Sequence, residues 1–426
     1  MSVAVDRRLF LGGTALVGGF AAFPAFAKTA MREIGHDWPK IQTMLDRYTS
    51  NKMVASGVAS IAHGTDQADF LASGTLALDN PTAVTPDSLF RSYSMTKPIT
   101  GMAAMMLIEE GKLKLDQNIA DLLPAFANPR VMFDPEHSLK SRPSQTPITV
   151  RTLLTHTAGL GYAIVSKGPL LDGIIKLGLG AGRVSRHALP GFPKNEEAPS
   201  LEEFANRLAT LPLISDPGYQ WSYSVSLDLL GRVIEVASGM PFDAFLKTRF
   251  FDPLGMTSSF FQVPGADTKR LTSNYFELPT GPFLIDPGSD SVYSDKPSAP
   301  YGGSGLISTP RDYDRFQAML AGGGALGKTR IMGQTAVAHG MSNLMHPDTK
   351  NEGYAKGQGF GAGGRVNIVT STNGQGVGTF GWGGAASTTA WVDPARNVRV
   401  SGWTQIMTRG EQPFVTDFIK SVYESL

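Results

Sequence analysis

The most informative absences in this 426-residue sequence concern residue types that several kinds of chemistry require. It contains no cysteine, which excludes disulfide bonds, thiolate metal sites and a cysteine nucleophile. Its seven histidines do not form a His-Glu-x-x-His pattern or another recognisable ligand spacing, so a metal site is unsupported. We therefore predict that the protein works without a metal or another cofactor.

An excess of charge of either sign is also missing. The chain carries 38 basic and 37 acidic residues, a net charge of +1, which gives no indication of binding to nucleic acid or to an anionic membrane surface. After residue 30 there is no apolar run long enough to cross a membrane. The composition, 42% hydrophobic and 18% charged, is that of a globular protein, and the length favours two lobes.

The first 27 residues predict a targeting segment. Arg7 and Arg8 precede Leu9-Phe10-Leu11 and a Gly/Ala-rich apolar run over residues 12–23. Ala25-Phe26-Ala27 then supplies a small-residue cleavage site before Lys28. This is the pattern of a twin-arginine signal peptide. We predict a periplasmic or secreted protein with no stable membrane anchor after cleavage.

The rest of the chain is organised around a helix predicted from about Ser94 to Gly111. Pro98 fits only near a helix start, and Gly111 is a natural stop. The residues between them are apolar almost all round, which predicts a buried helix. Lys97 is three residues after Ser94, so their side chains share a face at the helix N-terminus, where backbone N–H groups can stabilise an anion.

Two other polar residues, His156 and Asp228, lie in otherwise apolar surroundings. Thr149 is predicted to cap a short helix that Gly159 ends, and His156 lies near the end of that helix. A lone histidine between two threonines more often fixes a loop than acts as a base, so we assign His156 a structural role. Asp228, in the first turn of a later helix, is a cap or a supporting group and is left unassigned.

The order of predicted elements indicates an α+β fold. Strands are predicted over 54–77 and again, as short alternating segments, over 359–406, and a final helix over 412–423. From about Asp116 to Met256 only helices and loops are expected, including a short helix over 115–124 and a long loop over 163–200. We predict an α/β domain formed by residues 28–115 and 286–426, with a mostly helical lobe, 116–285, inserted into it.

Five stretches together resemble a known family. In order they are Ser94-x-x-Lys97, Leu153–Leu160, Tyr223-Ser224, Gly302–Pro310 and Trp382-Gly383-Gly384. This order and spacing is similar to that of the class C β-lactamase-related superfamily, which includes penicillin-binding proteins. The Trp-Gly-Gly variant looks like the family-VIII carboxylesterases. The resemblance implies an antiparallel β-sheet flanked by helices, an inserted all-α lobe and a site between the two lobes.

The resemblance also implies roles for individual residues. Ser94 would be the nucleophile, and Lys97 and Tyr223 would share the proton transfers. The backbone N–H groups of Ser94 and Ala385 would form the oxyanion hole. The residues implied in substrate binding, with Trp221 as a further cleft candidate, are Trp382, Gly383, Gly384 and Tyr162.

The chemistry of these side chains agrees with those roles. A serine hydroxyl is a poor nucleophile at neutral pH and needs a base. A lysine or a tyrosine acts as that base only where its surroundings favour the deprotonated form. Desolvation does this for a lysine, and a close ammonium group does it for a tyrosine. Which of Lys97 and Tyr223 takes the first proton stays open, and the pair can titrate as one unit.

Two positions depart from the β-lactamase pattern. Val225 stands where that pattern has an asparagine, and Trp382 stands where it has a lysine. Both lost groups would bind polar parts of a substrate, so the apolar replacements favour neutral acyl esters over β-lactams or carboxylate-ended peptides. We therefore predict a serine hydrolase that cleaves carboxylic esters with short to medium acyl chains through an acyl-enzyme on Ser94.

Three alternatives stay open at this stage. Within the same fold the chain could be an amide hydrolase, such as a β-lactamase, a D-aminopeptidase or an oligoamide hydrolase, or a transesterase that passes the acyl group to an alcohol. From another class, a non-catalytic binding module would be expected to lack Ser94, Lys97 or Tyr223, and all three are present. An α/β-hydrolase is disfavoured because no Gly-x-Ser-x-Gly occurs. The sequence leaves the natural small-molecule substrate and the oligomeric state open.

Overall fold

Strands from both ends of the chain build the main sheet in the computed structural model, which describes residues 38–180, 182–187, 197–351 and 357–426. All of these lie in one compact unit, Ile34–Leu426. The targeting segment predicted for residues 1–27 lies outside the described residues, as do residues 188–196 of the long loop.

The strands in chain order are β1 (Ser56–His63), β2 (Asp69–Ala77), β3 (Asn80–Ala83), β4 (Phe90–Arg91), β5 (Arg130–Asp134), β6 (Ser138–Pro143), β7 (Asn274–Leu278), β8 (Gly281–Asp286), β9 (Ile307–Ser308), β10 (Ala325–Leu326), β11 (Thr329–Arg330), β12 (Gln358–Phe360), β13 (Arg365–Asn367), β14 (Phe380–Gly383), β15 (Thr389–Asp393), β16 (Val398–Trp403) and β17 (Ile406–Met407). The α-helices are α1 (Pro39–Ser50), α2 (Thr96–Glu109), α3 (Val150–Leu154), α4 (Gly168–Lys176), α5 (Leu201–Leu208), α6 (Ser226–Ser238), α7 (Phe242–Leu246), α8 (Asp252–Leu254), α9 (Pro310–Ala321), α10 (Gln334–Gly340) and α11 (Pro413–Tyr423).

The main sheet has eight antiparallel strands in the order β12-β13-β14-β15-β16-β1-β2-β3. Strands from the two ends of the chain meet at the pair β1–β16, in which Ser60 lies opposite Ser401. Helices α1 and α11 cover one face, while α9 and the α2 core lie against the other. Because both faces are covered, β16 is buried along its whole length, including Arg399, which forms an ion pair with Asp314. The prediction of an α+β fold with an antiparallel sheet flanked by helices is confirmed.

Helix α2 forms the centre of the largest apolar core. Its first twelve residues are all buried, and it packs against α6 and α10. The loop after β12 comes very close to it, because a Cβ atom added to Gly101 would lie 2.1 Å from the carbonyl oxygen of Ala362. The helix is predicted to begin at or near Ser94, and the structure agrees. Ser94 lies in a 3-10 turn, Tyr93–Met95, and the α-helix begins at Thr96.

The segment between α2 and the last third of the chain differs from the prediction in three places. The antiparallel hairpin β5–β6 was not expected, since only helices and loops were predicted there. It forms because Val131 and Met132 are buried, and Val131 bridges to Leu213. The predicted helix over 115–124 is instead two 3-10 turns, Ile119–Asp121 and Pro124–Phe126. Helix α3 stops at Leu154, well before the predicted stop at Gly159.

Other local predictions are confirmed by the structure. Thr149 caps α3 through a capping box. The short strands predicted over 359–406 include the antiparallel pair β15–β16, and the predicted final helix is α11. No helix within the described ranges is long and apolar enough to cross a membrane. The domain boundaries at residues 115 and 286 stay a prediction.

Candidate active site

Three predicted residues, Ser94, Lys97 and Tyr223, meet at one point. The Tyr223 hydroxyl donates to Ser94 Oγ at 2.6 Å, and Lys97 Nζ donates to the same oxygen at 3.0 Å. Ser94 is 9% exposed and Lys97 is fully buried, whereas Tyr223 is partly exposed, so the cluster is open to solvent on the tyrosine side. A serine in contact with two candidate bases is the geometry that nucleophilic catalysis requires.

The backbone around Ser94 is tightly held. Tyr93 has a φ of 43°, a left-handed conformation that costs a non-glycine residue about 1 kcal/mol. Its hydroxyl accepts a hydrogen bond of 2.9 Å from Asn274 Nδ2. The sharp turn places Ser94 between β4 and the buried α2, and it puts Lys97 at the second position of that helix. Ser94 therefore stands at a helix N-terminus, as predicted.

The loop before β9 also holds Lys97. Its Nζ donates to the carbonyl oxygen of Gly303 at 2.7 Å, and it also lies 4.7 Å from the centre of the Tyr223 ring. The N–H of Gly303 in turn donates to Asp228 Oδ1 at 2.8 Å. One peptide segment thus connects the buried cation to a buried carboxylate.

Sequence reasoning left Asp228 unassigned, and the structure places it beneath the site. It is fully buried in the first turn of α6. Burial raises the pKa of Asp228 to about 6, and the positive charge of Lys97 opposes that rise. A Cβ atom on Gly303 would lie 2.4 Å from Asp228 Oδ2, so only glycine fits there. An acidic residue in an otherwise apolar helix start was the signal that could have found it.

His156 lies under the loop that carries Tyr223. Its Nδ1 is 2.9 Å from Ser224 Oγ, and its ring centre is 4.9 Å from that of Tyr223. Burial, together with the charge of Lys97, lowers the pKa of His156 well below its usual value, so the ring is neutral. The predicted structural role agrees with this position.

Aromatic rings surround the Tyr223 hydroxyl. Trp382 Nε1 donates to that oxygen at 3.3 Å, and the Tyr162 ring centre is 5.3 Å from the Tyr223 ring. Trp221 stacks on Tyr223 at 6.2 Å, and Phe360 meets the edge of Trp382 at 5.2 Å. The structure therefore brings the predicted Trp382, Tyr162 and Trp221 to the cluster. Phe360 was missed because a single phenylalanine in a short strand carries no sequence signal.

The turn after β14 carries Ala385, one of the two residues predicted to form the oxyanion hole. Gly384 is buried, and its N–H donates to the Thr388 carbonyl at 2.7 Å. A Cβ atom on Gly384 would lie 2.5 Å from the Ser92 carbonyl oxygen, which shows how closely this turn approaches the Ser94 segment. Gly383 ends β14, and Ala385 follows in an exposed position. The oxyanion role of the Ser94 and Ala385 amides stays a prediction.

A cavity of about 940 Å³ lies elsewhere in the molecule. The ends of α9 and α10, the end of β13 and the β15–β16 connection form its walls. None of the residues that line this cavity is a predicted site residue. We therefore place the candidate active site at the Ser94 cluster, whatever the size of this cavity. Within the described ranges, no group of three or more acidic, histidine or cysteine side chains could hold a metal ion.

The family comparison agrees with this geometry. Residues 42–423 match the profile of the Beta-lactamase family. The chain belongs to the beta-lactamase family. The predicted resemblance is thereby confirmed, and so is the prediction of an enzyme of the serine hydrolase class.

Similar proteins include two esterases and one solved hydrolase structure. Esterase EstB of Burkholderia gladioli is 27% identical over 383 residues, 85% of this chain and 88% of that protein. Lovastatin esterase of Penicillium rubens is 29% identical over 335 residues, 73% of this chain and 78% of that protein. The structure of EstCE1, described as a hydrolase with promiscuous acyltransferase activity, superposes with a TM-score of 0.73 at 24% identity, covering 90% and 98% of the two chains.

Proposed function

We propose that this beta-lactamase family member hydrolyses neutral carboxylic esters with short to medium acyl chains. The observation that carries the proposal is the position of Ser94 Oγ, which receives hydrogen bonds from both Tyr223 and Lys97. The names of two relatives, an esterase and a lovastatin esterase, support ester substrates. Small-molecule esters are therefore the substrate class that we assign.

In the proposed reaction, one of Lys97 and Tyr223 is in its deprotonated form and accepts the Ser94 hydroxyl proton as Ser94 Oγ attacks the ester carbonyl. The amides of Ser94 and Ala385 stabilise the oxyanion, and loss of one such donor typically costs about 3 kcal/mol of barrier. The proton then passes to the leaving alcohol, which gives an acyl-enzyme and frees the alcohol. Water attacks the acyl-enzyme with the same pair as base, and the acid and Ser94 are regenerated.

The preference for neutral acyl groups rests on Trp382. Its indole contacts the Tyr223 hydroxyl and lies against Phe360, at the position where the β-lactamase pattern has a lysine. An indole stabilises an apolar acyl or alcohol group but cannot neutralise a carboxylate. The corresponding β-lactam and peptide substrates carry a carboxylate, so we rank amide hydrolysis below ester hydrolysis.

Acyl transfer to an alcohol is a second candidate. The aromatic side chains around Ser94 present apolar surface to an acyl-enzyme, which favours an organic acceptor over water. The acyltransferase activity in the description of EstCE1 also supports it. Adding increasing concentrations of a short alcohol to the ester assay tests it, because transfer yields a new ester at the expense of free acid.

We also propose that the protein is exported by the twin-arginine route to the periplasm or beyond. The basis is the Arg7-Arg8 pair and the apolar run that follows it. N-terminal sequencing of the protein purified from a bacterial host tests this. A start at Lys28 supports export, whereas an intact Met1 in the cytoplasmic fraction contradicts it.

Trapping the intermediate tests the catalytic proposal itself. A p-nitrophenyl ester mixed with the protein and quenched in acid should add one acyl mass to the peptide that contains Ser94. The Ser94→Ala variant should add none. An acyl group on another residue, or equal labelling of the variant, would contradict the assignment.

A further inference from the structure

His156 makes two hydrogen bonds that enclose Tyr223 along the chain. Its carbonyl oxygen accepts from the N–H of Ser222 at 2.9 Å, one residue before the tyrosine. Its ring Nδ1 lies 2.9 Å from Ser224 Oγ, one residue after it. Both neighbours of Tyr223 are therefore tied to one buried residue that is distant in sequence.

The His156 ring also limits where the phenol can turn. The ring is fully buried, and it packs against Tyr223 with centres 4.9 Å apart and planes tilted by 56°. On another side it meets the edge of Phe360 at 5.2 Å. A ring held between these neighbours cannot move aside, so the Tyr223 phenol keeps the direction that brings its hydroxyl to Ser94.

We propose that His156 is a positioning residue that holds the Tyr223 phenol against Ser94 Oγ. The inference rests on the proposed function, because it assigns a task within the same site. His156 contacts neither the substrate nor the reacting oxygen in this scheme, and it acts through Tyr223 alone.

Three properties suit histidine to this task. Its backbone is left-handed, with a φ of 56°, and histidine is one of the non-glycine residues that adopt this conformation most often. The ring supplies both an apolar face and a nitrogen that bonds Ser224. Ser224 continues the connection to Ser226 at 2.7 Å, where α6 begins, so the Tyr223 loop is tied to a buried helix.

The test removes the ring bond without touching Tyr223. Ser224→Ala leaves His156 and the phenol in place, while Ser60→Ala is the matched control. Ser60, like Ser224, is buried and shares a hydrogen bond of 2.7 Å with another buried serine, but it lies in the sheet. We expect Ser224→Ala to lower kcat for a p-nitrophenyl ester by about tenfold or more with KM nearly unchanged, since small displacements of a catalytic group are costly. Ser60→Ala should keep the parental kcat.

A second variant protects the test against misfolding. His156→Asn keeps a residue that tolerates the left-handed backbone but removes the ring. It should show the same fall in kcat, while its circular dichroism spectrum should equal that of the parent. If both variants, correctly folded, keep kcat within twofold of the Ser60→Ala control, His156 does not position Tyr223.

A double-mutant cycle tests whether the effect passes through Tyr223. The rate of Ser94 modification by a fluorophosphonate, followed by mass spectrometry over hours, measures slow variants. In a Tyr223→Phe background, Ser224→Ala should cause almost no further loss, because the hydroxyl that it positions is already gone. Two losses that simply multiply would overturn the inference.

The outcomes also separate this inference from the proposed function. Ester turnover that survives Ser94→Ala removes the proposed function itself. Ser94-dependent turnover that is unaffected by Ser224→Ala and His156→Asn removes only the role of His156.

Discussion

Tyr223 Oη lies 2.6 Å from Ser94 Oγ, although 129 residues separate them in the sequence. Ser94 belongs to the turn that follows β4, and Tyr223 to the loop that precedes α6. Their contact therefore depends on how α2 and α6 pack together, since each helix fixes one partner. A change in that packing should alter catalysis before it unfolds the protein.

The first prediction concerns the Tyr223 hydroxyl. Tyr223→Phe should lower kcat for a p-nitrophenyl ester by about 10²- to 10⁴-fold with little effect on KM, because it removes a general acid–base group but keeps the ring. Tyr275→Phe is the matched control, since that buried tyrosine also uses its hydroxyl in a hydrogen bond, to the Leu78 N–H at 2.8 Å. Equal kcat values in the two variants would exclude a catalytic role for Tyr223.

The second prediction concerns the peptide between Lys97 and Asp228. Gly303→Ala should lower kcat by more than about tenfold, because the new Cβ atom would lie 2.4 Å from Asp228 Oδ2 and would push away the carbonyl that binds Lys97. Gly265→Ala is the control, because no heavy atom lies within 4 Å of a Cβ there. Steady-state kinetics of folded variants decides. An unchanged kcat for Gly303→Ala would show that this loop does not set the lysine geometry.

The third prediction concerns pH and stability. Burial raises the pKa of Asp228 to about 6, above the unfolded value of about 3.9. Its stabilising contribution is therefore complete below pH ~4 and is lost as the pH rises through about 6, where the buried group must ionise. The Asp228→Asn side chain stays neutral at every pH. The free energy of unfolding of this variant should therefore rise relative to that of the parent between pH 4 and pH 7, by up to about 3 kcal/mol.

A variant whose stability relative to the parent should change with pH in the opposite direction is the control for that experiment. Arg142 lowers the pKa of Asp216, so this carboxylate stabilises the fold above its unfolded pKa and loses that effect as the pH falls through its folded pKa. Asp216→Asn should therefore be less stable than the parent at neutral pH, and the deficit should shrink toward pH 3. Urea unfolding of both variants across this pH range is the measurement. Parallel curves for parent and Asp228→Asn would contradict the buried, titrating carboxylate.

The fourth prediction concerns the charge of the substrate. Trp382→Lys should lower kcat/KM for a neutral p-nitrophenyl ester and raise it for an ester that ends in a carboxylate, because it places a cation beside the Tyr223 hydroxyl. Trp382→Phe keeps an apolar ring and should not favour the charged ester. The ratio of the two kcat/KM values is the readout. A ratio that is the same in all three proteins would mean that Trp382 does not select against anions.

Sequence reasoning reached the parts of the site that local rules determine. Ser94 and Lys97 are three residues apart on one helix start, so their contact follows from helix geometry, and Pro98 and Gly111 delimit that helix. Tyr223 could be placed only through the family resemblance, because no local rule brings it to Ser94. Its position in the structure agrees with that assignment.

The parts that sequence reasoning missed depend on long-range packing. The bond from Gly303 to Asp228 spans 75 residues, and that from His156 to Ser224 spans 68. No local spacing rule in the sequence predicts either of these hydrogen bonds. The hairpin β5–β6 was missed because only two of the five residues in β5 are buried and the alternation of β6 is weak. Short strands of this kind are fixed by tertiary contacts rather than by propensity.

The most direct measurement of the central claim compares two substrates on the protein that begins at Lys28. Turnover of p-nitrophenyl butyrate and of a chromogenic cephalosporin would be followed in parallel, with Ser94→Ala as the inactive variant and Ser60→Ala as the matched buried-serine control. We predict fast ester cleavage that is lost in Ser94→Ala and kept in Ser60→Ala, with little lactam cleavage. Strong cephalosporin turnover, or ester turnover that survives Ser94→Ala, would contradict the account.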